Sequence, residues 1–336
     1  MSPTVGVVIP TRGDRPRLLR AAVRAVQAQE DPAVPDIVVV VDGGLSPQVV
    51  AAQLVEGGIR GLSSEPVAAE LAGEGVRGGD DGLSPGAVAA ELGGEGVRVV
   101  ANRFSPGLPG ARNTGIAALR TDLVAFCDDD DLWLPGKLAA QLAALDADPG
   151  AEFAACAIEV EYGAHRVPRL AGTSRVTRAA LTRSRMAMVH SSTFLFRRGS
   201  FWVDESAPAG QNEDWDLALR AAARHPIAYV DRPLVRVRWG ASAYVTRWAD
   251  RIAGLEWMLA RHPGLAADPR GAARVYGQLA FHNAALGRRR EATRWAIRAF
   301  AARRGEPRVP IALAVALGVV PAHVVLGLLH TRGHGI

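Results

Sequence analysis

Apolar residues in the first part of the chain gather in short runs rather than in strict alternation. Thr4 to Ile9, Asp36 to Val41, Val97 to Ala101 and Val124 to Cys127 read this way, and each run stops at a turn former or an acid. Non-alternating runs of this length predict strands buried on both faces. Between the first two, Pro16 to Gln29 changes to helical periodicity, with Pro16 placed for a first helical turn. Strand, turn, helix, strand predicts a mostly parallel sheet with helices on both faces, an α/β fold of Rossmann-like type. Such sheets bind ligands beyond the C-terminal ends of their strands. Thr11, Asp14, Asp42 and the acidic run from Asp128 all fall on that edge.

The pattern continues with a helix opened by Gly110-Ala111-Arg112-Asn113-Thr114-Gly115 and running to Arg120, which puts Arg112 in its first turn. Leu134 to Leu145 reads as an amphipathic helix. Phe153 to Val160 and Val189 to Phe196 read as strands, Leu217 to Ala222 as a helix, and Ile227 to Val230 and Leu234 to Trp239 as closing strands. Residues 45–98 hold three versions of one unit, Leu45 to Arg60, Leu62 to Arg77 and Leu83 to Arg98. Each predicts a short helix with a Ser N-cap and a glycine stop, a local duplication inserted in one connection. Residues 241–336 lose all strand signals and predict a helical C-terminal region, separate from a catalytic domain at 1–240. Within it, Ile311 to Leu329 is long enough for a membrane span. Pro321 and His323 favour two short buried helices instead, with interfacial membrane contact as the other reading.

Composition narrows the partners. The chain has 336 residues and a net charge of +5, carried almost wholly by Arg, since Lys137 is the single lysine. Guanidinium forks suit phosphate and carboxylate. No basic block with interleaved aromatics supports nucleic-acid binding. Cys127 and Cys156 sit in apolar runs, which argues against a disulfide framework and for a reducing cytoplasm. Val5 to Ile9 is too short for a secretory signal.

The chemistry centres on Asp128-Asp129-Asp130-Asp131. Four adjacent carboxylates repel and cannot all be desolvated without positive partners. Those partners are Arg side chains or a divalent cation, Mg2+ or Mn2+, for which alternate aspartates offer oxygen ligands. The plainer reading is a solvated acidic turn before the helix near Leu134-Pro135. Glu213-Asp214 likewise admits a plain reading, as acids complementing a helix dipole.

Taken in order, Val8-Ile9-Pro10-Thr11, Val40-Val41-Asp42-Gly43, Gly110 to Gly115, Phe126 to Asp131, Trp133-Leu134-Pro135 and Glu213-Asp214-Trp215 resemble the family 2 glycosyltransferases, which have the GT-A fold. The resemblance covers residues 4 to about 240. It implies metal-assisted, inverting transfer of a hexosyl-type sugar from a nucleotide sugar to an acceptor hydroxyl. Pro10 and Thr11 would line the nucleotide site, with Arg12 and Asp14 in the same turn. Asp42 would accept from the base, and Arg112 would bind the nucleotide. Asp128 and Asp130, with Asp129 between them, would form the Asp-x-Asp motif touching ribose and metal. Asp214, paired with Glu213, would be the general base, and Trp133 and Trp215 would face the acceptor. Many relatives carry Tyr-Arg-x-His near the domain end, where this chain has Val237-Arg238-Trp239-Gly240. Positions from Tyr276 to Phe300 are similar to one tetratricopeptide repeat, which would dock on the catalytic domain or on a second subunit. The implied acceptors span glycan, lipid-linked, natural-product and peptide classes, and peripheral contact with the inner face of the membrane fits the tail. Two other readings use the same residues: another metal-dependent phosphoryl enzyme on a similar sheet, and a catalytically weak scaffold.

Overall fold

The computed structural model describes residues 3–29, 35–64, 96–239 and 247–331. One sheet organises it. Its order is β3 (Leu62–Ser64), β4 (Val97–Ala101), β2 (Asp36–Val41), β1 (Val5–Thr11), β5 (Leu123–Phe126), β10 (Leu195–Arg197), β7 (Phe153–Tyr162), β11 (Ile227–Arg238) and β6 (Leu132–Trp133). β8 (His165–Arg169) adds to β7, and β9 (Arg175–Val176) adds to β11. From β3 through β5 every pairing is parallel. β10 then runs antiparallel to both neighbours. Side chains of β2 explain the unbroken apolar run: Ile37, Val39 and Val41 enter one core, Val38 and Val40 the other. Each such fully buried side chain contributes about 1.5–3 kcal/mol.

Helix α1 (Pro16–Gln27) covers the first face with Leu19, Val23 and Val26. The second face takes α3 (Leu108–Ala118), whose Gly115 lies so close to β1 that a Cβ there would sit 2.2 Å from a Val8 methyl. That approach holds α3 flat on the sheet, with its N-terminal half at the C-terminal edge of the strands. The helix starts at Leu108, earlier than expected, because Pro109 suits a first turn and Gly107 supplies the entry at φ 109°. Arg112 therefore stands in the second turn.

Several expected elements shift. α4 (Lys137–Asp146) begins three residues late, because Leu132–Trp133 pairs with β11 and Gly136 turns through the left-handed region. Val189 to Phe196 is not one strand: Ser191–Thr193 form a 3-10 turn, and only Leu195–Arg197 join the sheet. The two expected closing strands are a single strand, β11, irregular between Val230 and Val235. In the first repeat α2 (Pro47–Glu56) has its Ser46 cap, accepting from Val49 N, and its stop at Gly57. The second copy opens instead as strand β3 on the sheet edge. Most of the second copy and nearly all of the third lie outside the described residues.

α5 (Arg178–Arg183) and α6 (Glu213–Arg224) lie between β9 and β11 in the chain. The helical region contains α7 (Trp248–Arg261), α8 (Gly264–Ala267), α9 (Pro269–Ala285), α10 (Arg289–Ala302), α11 (Arg308–Ala316) and α12 (Ala322–Thr331). It docks on the second face of the sheet: Ile252, Leu255, Met258, Val275 and Leu279 share one core with Phe126, Phe196 and Trp215. A smaller cluster around Phe281, Ala292 and Ala312 ties the later helices together. The segment from Ile311 to Leu329 breaks at Pro321, and its helices are only partly buried, leaving Leu317, Val319 and Leu328 exposed. Among the described residues no helix is long and apolar enough to cross a membrane.

Candidate active site

The C-terminal ends of β1, β2, β4 and β5 deliver Thr11, Asp42, Asn102 and Asp128 to one edge. Asp42 binds the loop beside it: one oxygen accepts from Asn102 Nδ2 at 2.8 Å, the other from Gly107 N at 2.8 Å. Pro10 is buried within β1 opposite Val40, whereas Arg12 and Asp14 are exposed and 4.0 Å apart as an ion pair.

The four aspartates separate by depth. Asp128 accepts from Arg112 Nη2 at 2.8 Å and from Ser191 Oγ at 2.9 Å. Asp129 is buried, accepting from Thr11 Oγ1 at 2.6 Å and from Arg15 Nη2 at 2.6 Å. Asp130 takes the other arm of Arg15 at 2.5 Å. Asp131 is buried and accepts from Ser192 Oγ at 2.6 Å. Burial opposes ionisation of Asp128, but Arg112 and then His190 hold it below the usual carboxylate range. Burial pushes Asp129 up to about 6 against Thr11 and Arg15. Asp131 rises well above its ordinary value, through burial and the charges of Asp130 and Asp128.

Arg112 is the bridge. Fully buried, it donates to Asp128 through one nitrogen and to Glu213 through the other, joining residues 101 apart in the chain. Burial disfavours its charge, yet Asp128 and Glu213 outweigh burial and raise its pKa. Glu213 and Asp214 open α6, behind Asn212 in the left-handed region at φ 65°. Glu213 is pushed up to about 7 by burial, which Arg112 only partly offsets. Asp214 is different: Arg185 Nη2 reaches both its oxygens at 2.9 Å, and the Trp215 N–H donates to it at 2.7 Å. Against burial, Arg185, His190 and Arg112 keep it ionised below the usual range.

Asp128, Asp131 and His190 offer ligand atoms within 4.8 Å of one another. Burial lowers the His190 pKa, favouring the neutral, ligating imidazole. Two oxygens and a nitrogen suit a divalent ion such as Mn2+, and such an ion would counter the burial and repulsion that disfavour the ionised form of Asp131. Asp130, expected beside Asp128, points to Arg15 instead. Trp133 and Trp215, expected on the acceptor side, are buried. Both are core residues: their indole N–H groups donate to Ser192 O at 3.0 Å and to Leu181 O at 3.2 Å, and Lys137 Nζ lies 3.7 Å from the Trp133 ring centroid. Arg15, Arg185, His190, Ser191 and Ser192 escaped the sequence reading. The last three interrupt an apolar run with three polar residues, which is the signal that something polar needed them there.

Residues 80–203 match the family model described as glycosyl transferase family 2. A search of curated protein sequences found no match. Among solved structures, S. aureus TarS 1-349 in complex with UDP-GlcNAc superposes with a TM-score of 0.56 at 12% identity, covering 98% of this chain and 92% of that one. The mannosyltransferase PcManGT from Pyrobaculum calidifontis, in complex with GDP-Man and Mn2+, gives 0.52 at 15% identity, covering 98% and 79%. The matched segment ties residues 80–203 to the family 2 glycosyl transferases, and the chain as a whole shares its fold with these two glycosyltransferase structures.

Proposed function

We propose that the chain moves a sugar from a nucleoside diphosphate sugar to an acceptor hydroxyl, with inversion at the anomeric carbon. The observation that carries this reading is the Arg112 bridge, which holds the Asp128 end of β5 and the Glu213-Asp214 end of α6 around one site. Residues 1–240 would act as the catalytic domain and 241–336 as the helical region docked behind it. Thr11, Arg12, Asp14, Asp42 and Asp129 would surround the nucleotide.

A divalent ion would be held by Asp128 with Asp131 and His190, and would supply charge neutralisation for a departing diphosphate. Asp130 is the motif's other candidate ligand, and substitution separates the two. Arg112 keeps Asp128 ionised and brings positive charge to the same edge. Asp214, ionised and at the other end of the bridge, accepts the proton of the acceptor hydroxyl as the oxygen attacks the anomeric carbon. One in-line displacement inverts that carbon, so no protein nucleophile is needed. PcManGT, solved with GDP-Man and Mn2+, supports the donor class and the ion; TarS, solved with UDP-GlcNAc, supports the donor class. The test is a panel of UDP- and GDP-sugars incubated with the purified chain and Mn2+, read by release of nucleoside diphosphate. Release from at least one sugar, lost on chelation, is expected. No turnover across the panel would overturn the reading.

A further inference from the structure

Asp214 as it stands cannot take a proton easily, because Arg185 occupies both carboxylate oxygens at 2.9 Å. An acceptor must draw that guanidinium away, and a neutral hydroxyl offers it no replacement charge. Arg185 lies near a second guanidinium, that of Arg274. The neighbouring Ser184 Oγ accepts from Arg274 Nη1 at 3.0 Å. Arg274 sits on α9 about one turn from each of two glycines, Gly271 and Gly277. A Cβ on Gly271 would lie 2.4 Å from Thr182 O, and one on Gly277 would lie 2.9 Å from Arg308 Cβ. These close approaches clamp α9 between the end of α5 and the corner at Arg308, with Arg274 in the seam. Glu306 bonds Arg308 at 2.6 Å, while the Nε atoms of Arg274 and Arg308 are buried without an acceptor. Burial, with Arg308 and Arg185 nearby, lowers Arg274 to about 10. Met186, next to Arg185, is held at φ 50°, a conformation that costs a non-glycine residue energy and marks a constrained turn.

We propose that Arg185, Arg274 and Arg308 form an anion site beside Asp214 that receives a phosphate-ester group of the acceptor, and that Arg185 passes from Asp214 to this phosphate as the acceptor binds. The inference rests on Asp214 being the base. Phosphate fits better than a single carboxylate, because it carries up to two charges and several acceptor oxygens for planar forks. The exchange leaves each charge paired: Arg185 gains a phosphate oxygen, and Asp214 regains lone pairs aimed at the acceptor hydroxyl. Donor and acceptor would then be read by separate Arg groups, Arg112 on one side and the Arg185 cluster on the other.

The test uses the full chain and two phosphate sources. Calorimetry follows binding of glycerol 3-phosphate and, separately, of phosphatidylglycerol vesicles diluted in phosphatidylcholine, to wild type, Arg185→Gln, Arg274→Gln and Arg274→Lys. UDP and GDP with Mn2+ are titrated into the same proteins. Affinity for at least one phosphate source should fall about tenfold in both Gln variants and recover in part in Arg274→Lys, with nucleotide affinity unchanged. Response to glycerol 3-phosphate assigns a soluble ester, and response to vesicles alone assigns a lipid headgroup. Absence of binding in wild type, or equal binding in all four proteins, overturns the proposal. If the phosphate response holds but neither nucleotide binds, the donor reading fails and the anion site stands.

Discussion

Two acidic runs, Asp128–Asp131 and Glu213–Asp216, look alike in sequence and are treated oppositely by the fold. In the second run each acid meets a base, although Glu213 shares its base with Asp128. Glu213 meets Arg112, Asp214 meets Arg185, and Asp216, fully buried, meets Arg220 at 2.8 Å, Arg261 at 2.5 Å and His262 at 2.8 Å. In the first run four carboxylates share Arg15 and Arg112, and neutral donors, among them the hydroxyls of Thr11, Ser191 and Ser192 and the backbone N–H of Arg238, add to these. Hydroxyls satisfy lone pairs but bring no charge. The first run is therefore left with surplus negative charge suited to a cation, while the second is locally balanced. Asp214 is held by Arg185, itself about a third exposed, whereas Asp216 is shared among Arg220, Arg261 and the largely buried His262.

The largest expected effect falls on Asp214. Asp214→Asn keeps the shape and removes the base, so transfer should drop by roughly 10²–10⁴-fold, while nucleotide affinity measured by calorimetry stays within error. Near-normal turnover would place the base elsewhere. Asp216 should act on stability instead. Asp216→Ala removes the acceptor shared by Arg220, Arg261 and His262, though Arg261 keeps Asp204 and Arg220 keeps Trp202 O, and should cost about 1–3 kcal/mol in denaturant unfolding. Its depressed pKa, about 2, also sets a sign. Stability from Asp216 is fully present above its unfolded pKa near 4 and is lost as pH falls from there through about 2. The Asp216→Ala protein should lack this part of the acid-side loss in unfolding free energy, and an unchanged acid limb would contradict it.

A smaller effect separates the cation ligands. Mn2+ in hundredfold excess over its dissociation constant should stabilise wild type by about 2.7 kcal/mol, read as a rise in Tm. Asp131→Asn should remove most of that rise and Asp130→Asn little of it. The reverse order would restore the alternate-aspartate assignment. Smallest is Ser46→Ala, remote from both runs, which should lower stability by about 1 kcal/mol through its lost cap on α2 and leave nucleotide binding untouched.

The strands β1, β2, β4 and β5 were legible because burial on two faces writes an unbroken apolar run, and their C-terminal edge followed from topology. The Asp128 run fell on that edge by the same reading, whereas Glu213-Asp214 came to the site only through the family resemblance. The internal assignment of the Asp128 run was not legible. Whether Asp130 or Asp131 turns beside Asp128 depends on one tight turn, Asp131 N to Asp128 O at 3.1 Å, and on Ser192 arriving from a distant 3-10 turn. Trp133 and Trp215 were read as acceptor contacts from their place beside the motifs. Only packing shows that their rings point inward. Arg185 gave no signal at all, since an isolated Arg in a polar stretch resembles every other surface Arg.

The most direct test is a crystal of the chain grown with Mn2+ and the nucleoside diphosphate it binds, with manganese located by anomalous scattering. The account predicts one peak in contact with Asp128, the diphosphate on the same side, and Asp214 facing the site without touching the ion. A peak seated on Glu213–Asp216, or a nucleotide bound away from Arg112, would contradict it.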